Sequence, residues 1–89
     1  MPVDINGQKV EVGARVKVLH IDPKITEHLS DYEAQDINSM LNQVLEVYEI
    51  DEYDCAWVEK WWQRGDGQSE SHSLALSSNE MELVPNASS

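Results

Sequence analysis

The sequence predicts a mainly β fold: a five-stranded antiparallel barrel with a helical insertion at about residues 23–41, after the first barrel strand. Three observations lead there. β-Branched and aromatic residues are dense from Gln43 to Trp62, on both sides of an acidic turn at Asp51–Asp54. Such a segment fits a half-buried antiparallel hairpin. Short alternating runs before and after it, around Val12–Val18 and Leu74–Val84, supply further strands. Helix-start signals occupy the stretch from Asp22 to Asn42 between the first strand and the hairpin.

Each element follows from local chemistry. Val3 to Val12 alternates around Asn6-Gly7, a pair that supplies the positive φ angles of a tight turn. Residues 3–12 are therefore either a two-stranded start or one strand with a preceding arm. Gly13 punctuates, and Ala14 to Ile21 reads as a strand with Val16 and Val18 on one face. Asp22-Pro23 pairs an N-cap acceptor with proline at the first helical position. Ser30-Asp-Tyr-Glu33 is a capping-box signal, with Leu29 and Ala34 at the spacing of a hydrophobic staple. Ala34, Ile37, Met40 and Leu41 form an apolar stripe at helical spacing, and Asn42 suits the stop. After the hairpin, Gly65 to Ser69 reads as a flexible connection and Ser71 to Leu76 as a short strand. Ser77 to Glu80 makes a single helical turn. Met81 to Val84 closes the sheet and Pro85 ends it. Residues 1–85 thus form one domain, and 86–89 a loose C-terminal tail.

Composition bounds the function. The chain has 89 residues, with three Trp, three Tyr and no Phe. A chain of this size buries roughly 60–65% of its unfolded surface, so its stability margin is thin. Seventeen acids face six bases, for a net charge of -11. That disfavours direct binding to nucleic-acid phosphates and to anionic membranes, and it steers basic partners toward the protein. A single cysteine, no signal peptide and no long apolar run predict a cytoplasmic protein, of a charge common among bacterial ones.

The strand pattern has a likeness. Val12-Gly-Ala-Arg-Val-Lys-Val18 resembles the first strand of SH3-like small β-barrels. Leu74-Ala-Leu76 through Glu80-Met-Glu-Leu-Val84 resembles their end: a strand, one helical turn and a final strand. Within that group the chain is similar to the electron-transport-accessory type. That type includes the small barrel subunit of photosystem I, the variable chain of ferredoxin–thioredoxin reductase and the barrel of the nitrile hydratase β-chain. The resemblance spans about residues 10–85 and departs from the pattern at the insertion. It implies a docking or stabilising role in a larger assembly.

Few residues are placed for chemistry. Trp57, Glu59 and Trp61 share one face of a strand, and Ala56, Val58, Lys60 and Trp62 the other. Three readings stand for Trp57 and Trp61: the insertion helix covers them with its Ile37/Leu41 stripe, they form an aromatic platform for a partner peptide, or a bulge buries them. Glu49, Asp51, Glu52 and Asp54 at the hairpin tip read as a solvated turn or as an acidic docking patch beside Tyr48. Their spacing is not that of an EF-hand loop, and no glycine lies inside it. Cys55, His20, His28 and His72 are solitary, without the paired spacing of a zinc site; Cys55 and His72 could meet across strands. No catalytic constellation or phosphate-binding loop is present.

The expected function is a non-enzymatic protein-interaction or accessory module, without metal or cofactor. Its candidate binding residues are Trp57, Trp61, Tyr48, Glu49, Asp51, Glu52 and Asp54. The expected partner is a protein with a basic or proline-containing surface. Two alternatives are an acidic regulatory or inhibitor protein that mimics nucleic acid, and an accessory subunit of a redox or hydratase-type enzyme.

Overall fold

The computed structural model describes residues 2–85, so the expected tail at 86–89 lies outside the described residues. The strands are β1 (Arg15–Val18), β2 (Val44–Ile50), β3 (Ala56–Gly65), β4 (Gln68–Leu76) and β5 (Met81–Val84). Two short helices, α1 (Pro23–Thr26) and α2 (Asp31–Asn38), fill the insertion between β1 and β2. The mainly β class and the insertion match the sequence reading. All strand pairs are antiparallel, in the order β4-β3-β2-β1-β5. The first half of β2 pairs with β1 and the second half with β3.

The expected closure is not found: the sheet is open, with β4 and β5 at its two ends. One reason lies at β5. Its outer edge already meets the N-terminal arm, where Ile5 N–H donates to the Met81 carbonyl at 3.0 Å. The arm is a tight turn closed by Gly7 N–H to the Asp4 carbonyl (3.0 Å), with one bridge, Val3 to Lys9; Gly7 takes the positive φ (80°) and Asn6 does not, unlike the expected Asn-Gly pair. Asp4 fastens it. This carboxylate is only 2% exposed. It accepts the N–H groups of Asn6 (2.9 Å), Gln8 (2.8 Å) and Leu83 (2.7 Å). Burial alone pushes the Asp4 pKa up, but these main-chain donors outweigh it and hold the group below its ordinary value.

The helical signals act where the sequence puts them. Asp22 accepts Lys24 N–H at 2.9 Å ahead of Pro23, and Ser30 Oγ accepts Glu33 N–H at 3.2 Å. Glu33 reaches back to the Ser30 hydroxyl itself (3.3 Å). Asn42 ends the insertion at φ 66°. Ser77 N–H donates to the Glu80 carboxylate at 2.9 Å across the single 3₁₀ turn before β5.

The core is aliphatic. Val10, Val16, Val18, Val47, Val58, Leu74, Leu76, Met40 and Met81 are fully buried or nearly so. Each such side chain stabilises by about 1.5–3 kcal/mol. The β2–β3 hairpin forms as expected and contributes Val47, Ala56 and Val58. The largest fully buried side chains, Met40, Leu74, Leu76 and Met81, come from outside it. The core is thus shared across the sheet more evenly than the density of large residues in 43–62 suggests.

The stretch expected to be a flexible connection is instead part of a long hairpin. Asp66 (φ 49°) and Gly67 (φ 75°) form a two-residue turn, and Gly65 pairs with Gln68. Two successive positive φ values match the right-handed twist of the flanking strands, which is why Asp-Gly suits this position. β4 therefore begins at Gln68, three residues earlier than its first apolar neighbours suggest.

Candidate functional site

The β3–β4 hairpin has two faces, and the insertion lies against only one of them. On the inner face, Asp36 of α2 sits beside Arg64 and His72. The Arg64 guanidinium donates to Asp36 Oδ2 and lies 3.5 Å from Glu70 Oε2. It also stacks 5.1 Å from the Tyr32 ring centre and 5.6 Å from that of Trp62. His72 packs edge-on to Trp62, with ring centres 5.5 Å apart, and its Nε2 lies 3.7 Å from Asp36 Oδ2. The Asp36 hydrogen bond raises the pKa of Arg64 still further. This cluster clamps α2 onto the far half of the hairpin.

Arg64 and His72, which reach Asp36 of α2, flank the half-buried Trp62, whereas Trp61 on the other face is 60% exposed. α2 ends at Asn38, short of the full expected stripe: its Ile37 and, in the turn that follows, Met40 are buried, whereas Leu41 is 41% exposed. The expectation that Ile37 and Leu41 cover the outward tryptophans therefore fails for Trp61, which is 60% exposed. The strand alternation was right, but the path of the insertion takes it across the Trp62 face.

On the outer face, Trp57, Glu59 and Trp61 of β3 stand in a row, as their spacing predicts. Opposite them on β4 lie Ala75, Ser73 and Ser71. Trp61 is 60% exposed, and its indole N–H donates to Glu59 Oε1 at 3.2 Å. Glu49 of β2 pairs with Trp57, and a register shift between Val47 and Glu49 leaves Tyr48 exposed. Trp57 is half-buried, and its indole N–H donates to Asp51 Oδ2 at 2.9 Å. The two tryptophans differ accordingly: Trp57 is anchored to the turn, and Trp61 presents its ring to solvent.

The acidic tip is not a uniform patch. Asp51 Oδ1 accepts Tyr53 N–H (2.9 Å) and Cys55 N–H (3.0 Å) while its Oδ2 holds Trp57. Cys55 N–H, then the Trp57 indole, lower the Asp51 pKa against a modest desolvation. Asp51 is the organiser of the turn. Asp54 takes a left-handed conformation (φ 61°), Glu52 is exposed, and Tyr53 is 78% exposed at the tip. Tyr53 was not among the residues singled out from sequence.

Cys55 and His72 do not meet. Cys55 lies just before the Ala56–Leu76 pair, whereas His72 pairs with Lys60. Five residues along a strand separate the two positions by about 17 Å. Burial, then the Asp51 charge, push the Cys55 thiol up, which suppresses its nucleophilic form. His20 lies 3.3 Å from Glu80 and His28 3.3 Å from Glu27, away from both.

Asp36, Glu70 and His72 bring one ligand atom each within 4.8 Å of one another. Two carboxylates and an imidazole could hold a divalent cation. Here the Arg64 guanidinium already supplies the positive charge between the carboxylates. A metal must displace it from two carboxylates and two aromatic faces, so the cluster reads first as a structural clamp. Sequence reasoning missed it because its members are spread from Tyr32 to His72 and nothing local links them.

No helix among the described residues is long and apolar enough to cross a membrane. No protein-family model matches the chain, and neither a characterised protein nor a solved structure matches it.

Proposed function

We propose that this chain is a non-enzymatic interaction module that docks a basic segment of a partner protein on the outer face of β3. One observation carries the reading: Trp61 stands exposed with Glu59 against its indole, on the hairpin face that the insertion leaves bare. An aromatic ring beside a carboxylate suits an arginine or lysine side chain, which gains from both ring face and charge. Tyr48 and Glu49 continue the same combination onto β2. The net charge of -11 speeds the approach of a cationic partner. An apolar proline segment would gain nothing from Glu59, so a basic occupant is favoured.

We read the fold more finely as SH3-like. The strand order, the sharing of β2 between two ladders and the 3₁₀ turn before β5 support that reading. The accessory role implied by the resemblance to electron-transport-accessory barrels agrees with a docking surface. Mimicry of nucleic acid finds less support, because Asp4, Asp22, Asp36, Asp51 and Glu80 bind groups of their own chain. They are not aligned as free charges.

The test uses a fluorescently labelled decapeptide of alternating arginine and threonine. Anisotropy should report binding at low salt that weakens steeply as ionic strength rises. Trp61→Ala and Glu59→Gln should each weaken it by about three- to tenfold. Binding that both variants leave unchanged would remove this surface from the account, and no binding at low salt would remove the function.

A further inference from the structure

We infer that the basic segment binds as an added β-strand along the free edge of β4, in the cleft between that edge and α2. This deepens the docking reading and rests on it.

The two ends of the sheet are treated differently. The edge of β5 is covered by the N-terminal arm through Ile5 and Asp4. Along Gln68–Ser73, no main-chain hydrogen bond beyond the β3 ladder is formed among the described residues. Alternate N–H and C=O groups of that strand therefore point outward without a main-chain partner. Edge strands are commonly blunted by being short or by carrying lysine, proline or a bulge. β4 has nine residues with neither lysine nor proline, and the irregularity in its pairing is confined to the turn end at Gln63/Gly65.

A cleft runs along this edge. Ser30, Tyr32 and Glu33 line one side, and Glu70, Ser71 and His72 the other. Successive strand residues point to opposite faces. A cleft that touches three in a row must follow the edge itself. Its chemistry identifies the occupant. On the inner side lie Glu33 and Tyr32, 53% exposed although Arg64 stacks on it, with Glu70 already paired to Arg64; on the outer side, across Ser71, lie Trp61 and Glu59. The outer side offers an exposed ring next to a carboxylate, and the inner side the Glu33 carboxylate beside the exposed part of Tyr32. An extended segment with cationic side chains finds partners on both faces while its backbone pairs with β4. A second copy of this chain brings the same negative charge and is disfavoured by repulsion.

The test compares two decapeptides of alternating arginine and threonine, one unmodified and one N-methylated at every amide. Side chains and charge are the same, but only the first can donate to a strand edge. The unmodified peptide should bind at least ~tenfold more tightly. At saturation, hydrogen exchange should slow roughly tenfold or more at alternate amides of Gln68–Ser73 and stay unchanged in β1. Equal binding by the two peptides would overturn strand addition and leave the docking face standing. Failure of both to bind would overturn the docking reading as well. Slow exchange at those same amides in concentrated protein without peptide, with a dimer in sedimentation, would overturn the choice of a basic partner in favour of a second copy.

Discussion

Asp4 offers the sharpest test of how this small sheet is held together. Its two oxygens take three main-chain N–H groups, two in the Asn6-Gly7 turn and one on β5. Asp4→Asn keeps the shape but replaces one oxygen by a donor, so at least one N–H faces another N–H. A buried donor left unpaired costs about 1–3 kcal/mol, and the loss of a charged acceptor adds to it. The expected loss is about 2–3 kcal/mol, against a total of roughly 4–13 kcal/mol for a chain of this length. With a urea slope of about 1–1.5 kcal/mol per molar, the unfolding midpoint should fall by about 2 M. The pH dependence carries a second signature. The folded carboxylate ionises at a lower pH than the unfolded one, so its contribution is fully present above the unfolded value of about 3.9. It is lost as pH falls through that value toward the folded one. The gap between native protein and variant should be constant from pH 7 to 5 and narrow below about pH 4. A gap under about 0.5 kcal/mol at pH 7, or one that does not narrow in acid, would refute the reasoning.

Other expectations follow from single sites. Met40→Ala opens a cavity at a fully buried position and should cost about 2–5 kcal/mol in chemical denaturation. Gly67→Val forces a β-branched residue into φ 75° and should destabilise by about 1–3 kcal/mol, although a Cβ there meets nothing within 4 Å. Arg64→Ala should release α2 from the hairpin and speed hydrogen exchange of its amides several-fold, with little change in β1. Trp61→Ala should change stability by about 1 kcal/mol or less, because most of its ring is already in water.

What could be read in the sequence was local. Asp22-Pro23, Ser30 with Glu33 and Ser77 with Glu80 each set their own element through contacts a few residues apart, and of Asn6-Gly7 only Gly7 takes the positive φ its turn needs. The β2–β3 hairpin and the sharing of a face by Trp57 and Trp61 followed from alternation. β4 was read too short because Gln68 to Ser73 holds no apolar residue, so a period of two leaves no trace there. Gly65-Asp66-Gly67 reads as a turn from its glycines, but nothing local says that the strands on both sides pair right up to it. The organising carboxylates were hidden for another reason. Asp4 meets Leu83 across 79 residues and Asp36 meets Arg64 across 28, and composition records only that both are acids. Which face the insertion covers was equally hidden, since it depends on the path of the chain after β1.

The most direct measurement follows the indole N–H resonances of the three tryptophans while the arginine–threonine decapeptide is added at low salt. The account predicts that the Trp61 signal moves and broadens, with the amides of Gln68–Ser73, while Trp57 holds its place on Asp51 and Trp62 its place between Arg64 and His72. A titration in which Trp61 is the one that does not move, or in which all three shift alike, would contradict it.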